Sequence, residues 1–243
     1  RAQQARQKLH LMAAPSILRR MKQDVLDDLP EKIETVMTSE MTPGQAKVYH
    51  AYAEKLMQEA ESELADPQGR MKLLAGLTRL RQLCCDPRLC LEEYAAGSGK
   101  LDQLIELAGG LAAQGRRMLI FSQFTSMLAL LEEALHDAGL QTLKLTGETD
   151  KIERMALVEQ FNSGDIPVFL ISLKAGGTGL NLTGADVVIH YDPWWNTAAR
   201  NQATDRAYRI GQTKGVQVFD LIAADTIEER IVLLQQEKKA LSD

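Results

Sequence analysis

An α/β fold, a parallel sheet covered by helices on both faces, is the class this sequence predicts, and three observations predict it. At 243 residues the chain is long enough to bury one large core. From Ser98 onward helix-like and strand-like segments alternate. The strand-like ones are short and apolar, the helical ones amphipathic, which is the pattern of parallel strands joined by helical crossovers.

The elements follow in order. Residues 1 to about 30 have helical periodicity until PSILRRMKQDVLDDLPEK (15–32), where Pro15 and Pro30 punctuate a basic-then-acidic linker. IETVMTSEM (33–41) has strand composition, and Thr42 and Pro43 then stand where a helix begins, ahead of a long amphipathic run. A second helix covers about 69–85. Beyond Ser98 come helix 100–114, strand 117–122, helix 124–138, strand 141–145, helix 150–163, strands 168–172 and 186–191, helix 196–208, strand 216–222 and a last helix from Thr226. In such a sheet ligands meet the carboxyl ends of the strands, so the loops after Ser122, Ser172 and Tyr191 are where chemistry is expected.

Composition narrows the setting. A formal net charge of -5 provides no general basic coat, so any nucleic-acid contact has to be local. Cys84, Cys85 and Cys90 are too few and too clustered for a disulfide framework and lack a fourth metal ligand, which predicts buried reduced thiols and no metal site. No signal peptide or membrane-length apolar run is present, and the expected location is cytoplasmic, without a membrane partner. The start at Arg1, with helical periodicity already running, suggests a piece of a longer chain.

Four stretches carry candidate chemistry, and a fifth is set aside first. AAGSGKL (95–101) is not a phosphate-binding P-loop, because Tyr94 and Leu101 stand where that spacing demands Gly and Ser or Thr; Ser98 instead suits a helix N-cap. The glycine-rich loop 172–186 permits close backbone approach to phosphate or ribose oxygens, or is simply a tight connection. FSQFTSM (121–127) sets Ser122, Gln123, Thr125 and Ser126 at a helix start, suited either to a phosphate oxygen or to ordinary capping. In DPWWN, Trp194 and Trp195 allow one buried ring and one exposed for stacking, or two buried. On a helix over 196–208, Gln202, Arg206 and Arg209 share one face with Asp205 at its edge, while Ala199, Ala203 and Ala207 form a close-packing stripe. Planar guanidiniums projecting from the sheet's carboxyl edge suit phosphate; a solvated charged face is the plainer reading.

QATDRAYRIGQ (202–212) resembles the sixth helicase motif of the Swi/Snf-like ATP-dependent DNA translocases of helicase superfamily two, and the resemblance runs along nearly the whole chain. Residues 171–196 resemble motif five and its flank, MLIFSQFTSML (118–128) motif four, and 145–164 the segment between them. Residues 17–32 and LRQLCCDP (80–87) resemble the inter-lobe linker and helical insertion, and 226–241 the closing brace helix. The tryptophan pair has a bacterial look. The resemblance implies a second RecA-like lobe over 98–225, with linker and insertion over 1–97 and brace over 226–243. It implies ATP in a cleft against a first RecA-like lobe, whose phosphate-binding Lys and magnesium-holding acids are not among these residues. Arg206 and Arg209 would neutralise charge on the γ-phosphoryl group. Gly177, Gly179, Asn181, Gln202 and Asp205 would face the nucleotide. Ser122, Gln123, Thr125, Ser172, Lys174, Trp194 and Trp195 would face the double-stranded DNA backbone, with a DNA-bound protein as the object remodelled. The rival expectations are a strand-separating DNA or RNA helicase, which forked-duplex unwinding would reveal, and a non-catalytic lobe holding a nucleotide or methyl donor as a signal, which would have no need of two arginines at the cleft.

Overall fold

The structure is a computed structural model that describes residues 31–63, 67–176, 179–209 and 211–240; the helical reading of residues 1–30 and most of the linker lie outside these. Among the described residues one six-stranded sheet runs in the order β1-β6-β5-β2-β4-β3, with β1 Lys32–Ser39, β2 Met118–Ser122, β3 Thr142–Leu145, β4 Val168–Ser172, β5 Val187–His190 and β6 Val216–Ala223. Every neighbouring pair is parallel. The helices are α1 Pro43–Glu63, α2 Pro67–Cys85, α3 Gly99–Ala113, α4 Thr125–Asp137, α5 Lys151–Ser163, α6 Leu173–Gly176, α7 Thr197–Thr204 and α8 Ile227–Ala240.

The alternation in β2 makes two cores. Met118 and Ile120 pack on one face with Leu104 and Ala108 of α3 and Leu128, Leu131 and Leu135 of α4. Leu119 and Phe121 pack on the other with Phe161 of α5, Ala203 of α7, and Ala207 and Tyr208 just beyond it. β2, β4 and β5 are buried along their whole length, which is why they are apolar up to the single polar residue that ends each, Ser122, Ser172 and His190. Gly176 sits where an added Cβ would lie 2.9 Å from the Phe121 ring, so the chain leaving β4 passes tightly over β2.

β1, which the sequence reading counts with the linker and insertion, is the sheet's edge and pairs with β6 over eight residues. Gln45 of α1, fully buried, ties the helical hairpin α1–α2 to this body. Its Nε2 donates to Leu83 O at 2.9 Å, and its Oε1 accepts from Gly99 N at 3.1 Å. The Tyr49 hydroxyl accepts from Ile227 N at 2.8 Å, joining the hairpin to α8. The expected starts hold: Thr42 Oγ1 accepts from Gln45 N, and Ser98 Oγ from Leu101 N. Cys84 and Cys85 are buried free thiols and Cys90 is half-buried. Among the described residues no helix is long and apolar enough to cross a membrane.

Candidate functional site

The carboxyl ends of β2, β4 and β5 bring Ser122, Ser172 and His190 to one edge, with Ser122 and Ser172 in register. From there the glycine-rich loop is laced to its surroundings. Gly177 lies outside the described residues. Gly179 takes a left-handed φ of 41° and is exposed, as is Asn181, whose carbonyl accepts from Asn162 Nδ2 of α5 at 2.8 Å. Asn162 Oδ1 also accepts from Gly184 N at 3.1 Å.

The same loop is bound to the arginine segment. Leu182 N donates to Arg206 O at 3.0 Å, and the Arg206 guanidinium donates back to Leu180 O at 3.4 Å. Gln212 closes the assembly: its buried Nε2 donates to Ala185 O at 2.7 Å and to Ala207 O at 3.2 Å, and its Oε1 accepts from Lys214 N. Gly211 makes that turn with a φ of 101°. Gln212 was absent from the sequence candidates, although its place at the end of the Ile-Gly-Gln stop was a signal.

One expectation is corrected here. The helix over 196–208 ends at Thr204, and Arg206 N, Ala207 N and Tyr208 N turn back to Ala203 O and Thr204 O. Gln202, Arg206 and Arg209 therefore do not share a helical face. The reason is tertiary: Ala207 and Tyr208 are drawn into the core beneath the glycine loop, and the Leu182–Arg206 bond holds the chain out of helical register. The alanine stripe does pack, Ala203 and Ala207 fully and Ala199 in part. Gln202 is exposed on α7 and Asp205 is half-buried. Arg206 is buried and Arg209 is exposed. Burial, and then the charge of Arg209, pull the Arg206 guanidinium below its ordinary range, with Asp205 only partly opposing them. Two like charges thus stand together, and Arg206 Nε has no partner among the described residues.

The junction after β2 is arranged differently. Ser122 is fully buried and donates to Asp192 Oδ1 at 2.6 Å, and Gln123 N donates to the same carboxylate at 3.3 Å. Asp192 therefore fills the anion position at the start of α4 that the sequence suggested for a phosphate. Burial pushes its carboxyl upward, and the Ser122 hydrogen bond opposes this. Thr125 and Lys174 are exposed. Ser172 is buried, and its Oγ, like Gln123 Nε2, has no partner among the described residues.

The tryptophans separate, Trp194 being 4% exposed and Trp195 51%. Buried Arg81 of α2 donates to Pro193 O at 2.6 Å and lies 5.7 Å from the Trp195 ring and 5.8 Å from Phe124, so the helical hairpin holds this loop. Sequence reasoning also missed Lys100. Rejected as part of a P-loop, it forms a wholly buried ion pair with Glu228 at the start of α8 and donates to Tyr191 O at 3.2 Å. Burial is the largest influence and would loosen its proton, but the paired Glu228 carboxylate leads the opposing influences and Lys100 ends above its ordinary range, charged.

Similarity to known proteins decides the family. The helicase conserved C-terminal domain matches residues 99–211, and the SNF2-related domain matches residues 1–89. The solved C-terminal domain of the Sulfolobus solfataricus SWI2/SNF2 ATPase is 30% identical, with a TM-score of 0.73, 86% of this chain and 87% of that one being covered. This chain belongs to the SWI2/SNF2 family. The Sulfolobus solfataricus SWI2/SNF2 core solved in complex with double-stranded DNA is 34% identical with a TM-score of 0.76, covering 98% of this chain and 51% of that one. YwqA of Bacillus subtilis, named as an ATP-dependent helicase/translocase, is 41% identical over an alignment of 243 positions that covers 97% of this chain. The SWI2/SNF2 chain described here spans 26% of YwqA's length. Its sheet is the RecA-like α/β fold of those neighbours.

Proposed function

We propose that this chain is the C-terminal half of an ATP-dependent translocase on double-stranded DNA that remodels protein–DNA complexes. The observation that carries the reading is the pair Arg206 and Arg209: two guanidiniums whose charges oppose each other, one bonded to the glycine loop and the other exposed. An anion between them relieves that repulsion, and a phosphoryl group matches the planar forks.

ATP as substrate fits this donor set. Arg209 meets the γ-phosphate as the lobes close, and Arg206, with a free Nε–H, braces the loop and adds the second charge. Gly179, Asn181, Gln202 and Asp205 line the approach, and Gly177 belongs to the same loop. Magnesium would be held mainly by the first RecA-like lobe, where it neutralises phosphate charge. That lobe is the partner these residues require, and hydrolysis needs both.

DNA contact falls to Lys174, Thr125 and Trp195, which are exposed on the same edge, with Gln123 and Ser172 beside them. Such contacts meet backbone rather than base edges, so binding is sequence-tolerant and salt-sensitive, in keeping with the acidic net charge. The DNA-bound Sulfolobus core supports this assignment. The test joins the chain to its native upstream sequence and measures ATP hydrolysis with no nucleic acid, single strands, duplex and RNA. Stimulation by duplex without unwinding of a forked substrate is expected; flat rates in every arm would overturn the reading.

A further inference from the structure

α7 carries the arginine segment, yet it is only eight residues long, about two turns, and too short to hold itself. Its buried residues are Ala203 and Thr204, with Ala199 partly covered. Small side chains let the helix approach the sheet closely, but a smooth alanine surface does little to fix its rotation about its own axis. Directional bonds must supply that.

They occur at four-residue intervals. Asn196 Oδ1 accepts from Ala198 N at 3.0 Å at the start. Arg200 forks onto Asp220 of β6, Nε to Oδ1 at 2.8 Å and NH2 to Oδ2 at 2.5 Å, and its NH1 lies 3.6 Å from Glu34 Oε1 on β1. Thr204 donates to Arg200 O at 3.2 Å, so its oxygen accepts from His190 Nε2–H at 3.0 Å. Arg200 alone reaches two strands, and its side chain is 14% exposed, so the fork is shielded from competing water. On the same strand Lys32 pairs with Glu34 at 2.7 Å and lies 5.6 Å from the Tyr208 ring, between the two arginines in sequence.

We propose that Arg200 is the positioning residue of the arginine pair: its fork on Asp220, backed by Glu34, sets the rotation of α7 and thereby the direction in which the turn at 205–209 presents Arg206 and Arg209. This rests on the reading of that pair as the anion-facing group. Because Glu34 lies on β1, the fork also joins the arginine segment to the strand that follows the linker.

The experiment has two readouts. In the chain itself, amide exchange is followed at Arg206, Ala207 and Tyr208, and at Leu182, which donates to Arg206 O, with Ile120 and Leu170 as sheet controls. Arg200→Gln should speed exchange at the first four by about tenfold and leave the controls unchanged. The reversed pair, Arg200→Asp with Asp220→Arg, should restore protection. In the two-lobed protein Arg200→Gln should lower kcat by about tenfold with KM for ATP nearly unchanged, again restored by the reversed pair. Unchanged exchange at residues 206–208, or equal loss at the sheet controls, would overturn the positioning role. A wild-type two-lobed protein without any ATPase would instead sink the functional reading, while the exchange result would still decide the role of Arg200.

Discussion

Two strand-to-helix junctions on the same edge of the sheet look alike in sequence and end up opposite in chemistry. After β2, Ser122 and the Gln123 amide face the buried carboxylate of Asp192, and the anion position at α4 is already filled from within. After β4, the glycine loop is bonded to Arg206, whose charge is opposed by that of the exposed Arg209. The difference teaches that small residues and backbone donors do not by themselves make a phosphate site. The side chain arriving from a neighbouring strand or helix decides whether the position is filled or left open.

The largest test of this contrast is at the open junction. Arg209→Ala in the two-lobed protein should cut duplex-stimulated hydrolysis on the order of 10³-fold or more while ATP binding weakens only modestly, because an arginine finger acts mainly on the transition state. Arg209→Lys, which keeps charge but loses the fork, should already be damaging. Near-normal stimulated turnover in the folded alanine variant would reduce Arg209 to a surface charge.

His190 links the two junctions, stacked on Phe121 of β2 and bonded to Thr204 of α7. Burial lowers its pKa to about 4, with Asp220 opposing and Arg200 adding to the effect. In the folded state it is neutral at pH 6, whereas in the unfolded chain it takes up a proton below about 6.5. Its contribution is therefore present above about pH 6.5 and is lost as pH falls toward 4, by roughly 3 kcal/mol in all. Denaturant titrations of wild type and His190→Gln across that window should diverge with this sign. Parallel curves would mean the ring titrates alike in the folded and the unfolded chain.

At the filled junction, Asp192→Ala should destabilise the chain by about 1–3 kcal/mol, since the buried Ser122 hydroxyl and Gln123 amide lose their acceptor. Asp192→Asn should cost less and raise duplex affinity at low salt by removing a like charge. If neither stability nor affinity moves, the contrast between the junctions is not electrostatic. The smallest effect is expected at Lys174: alanine there should weaken duplex binding modestly and reduce the salt slope by about one phosphate contact.

What the sequence determined by itself was everything set by local pattern. The helix and strand alternation, the starts at Thr42 and Ser98, the parallel α/β class and the order of family motifs all follow from residues close together in the chain. The resemblance turned the glycine loop and the arginine segment toward one nucleotide, but the bonds that join them, Leu182 N to Arg206 O and Arg206 to Leu180 O, came from the fold. Only the tertiary structure decided the rest. It put β1 into the sheet, ended α7 at Thr204, sent Trp194 inward and Trp195 outward, and turned Lys100 into the buried partner of Glu228. The physical reason is distance along the chain. Ser122 and Asp192 are 70 residues apart and Lys100 and Glu228 are 128 apart. A periodic pattern says which face of an element is buried, but a polar side chain's role is fixed by the particular group that packing brings opposite it.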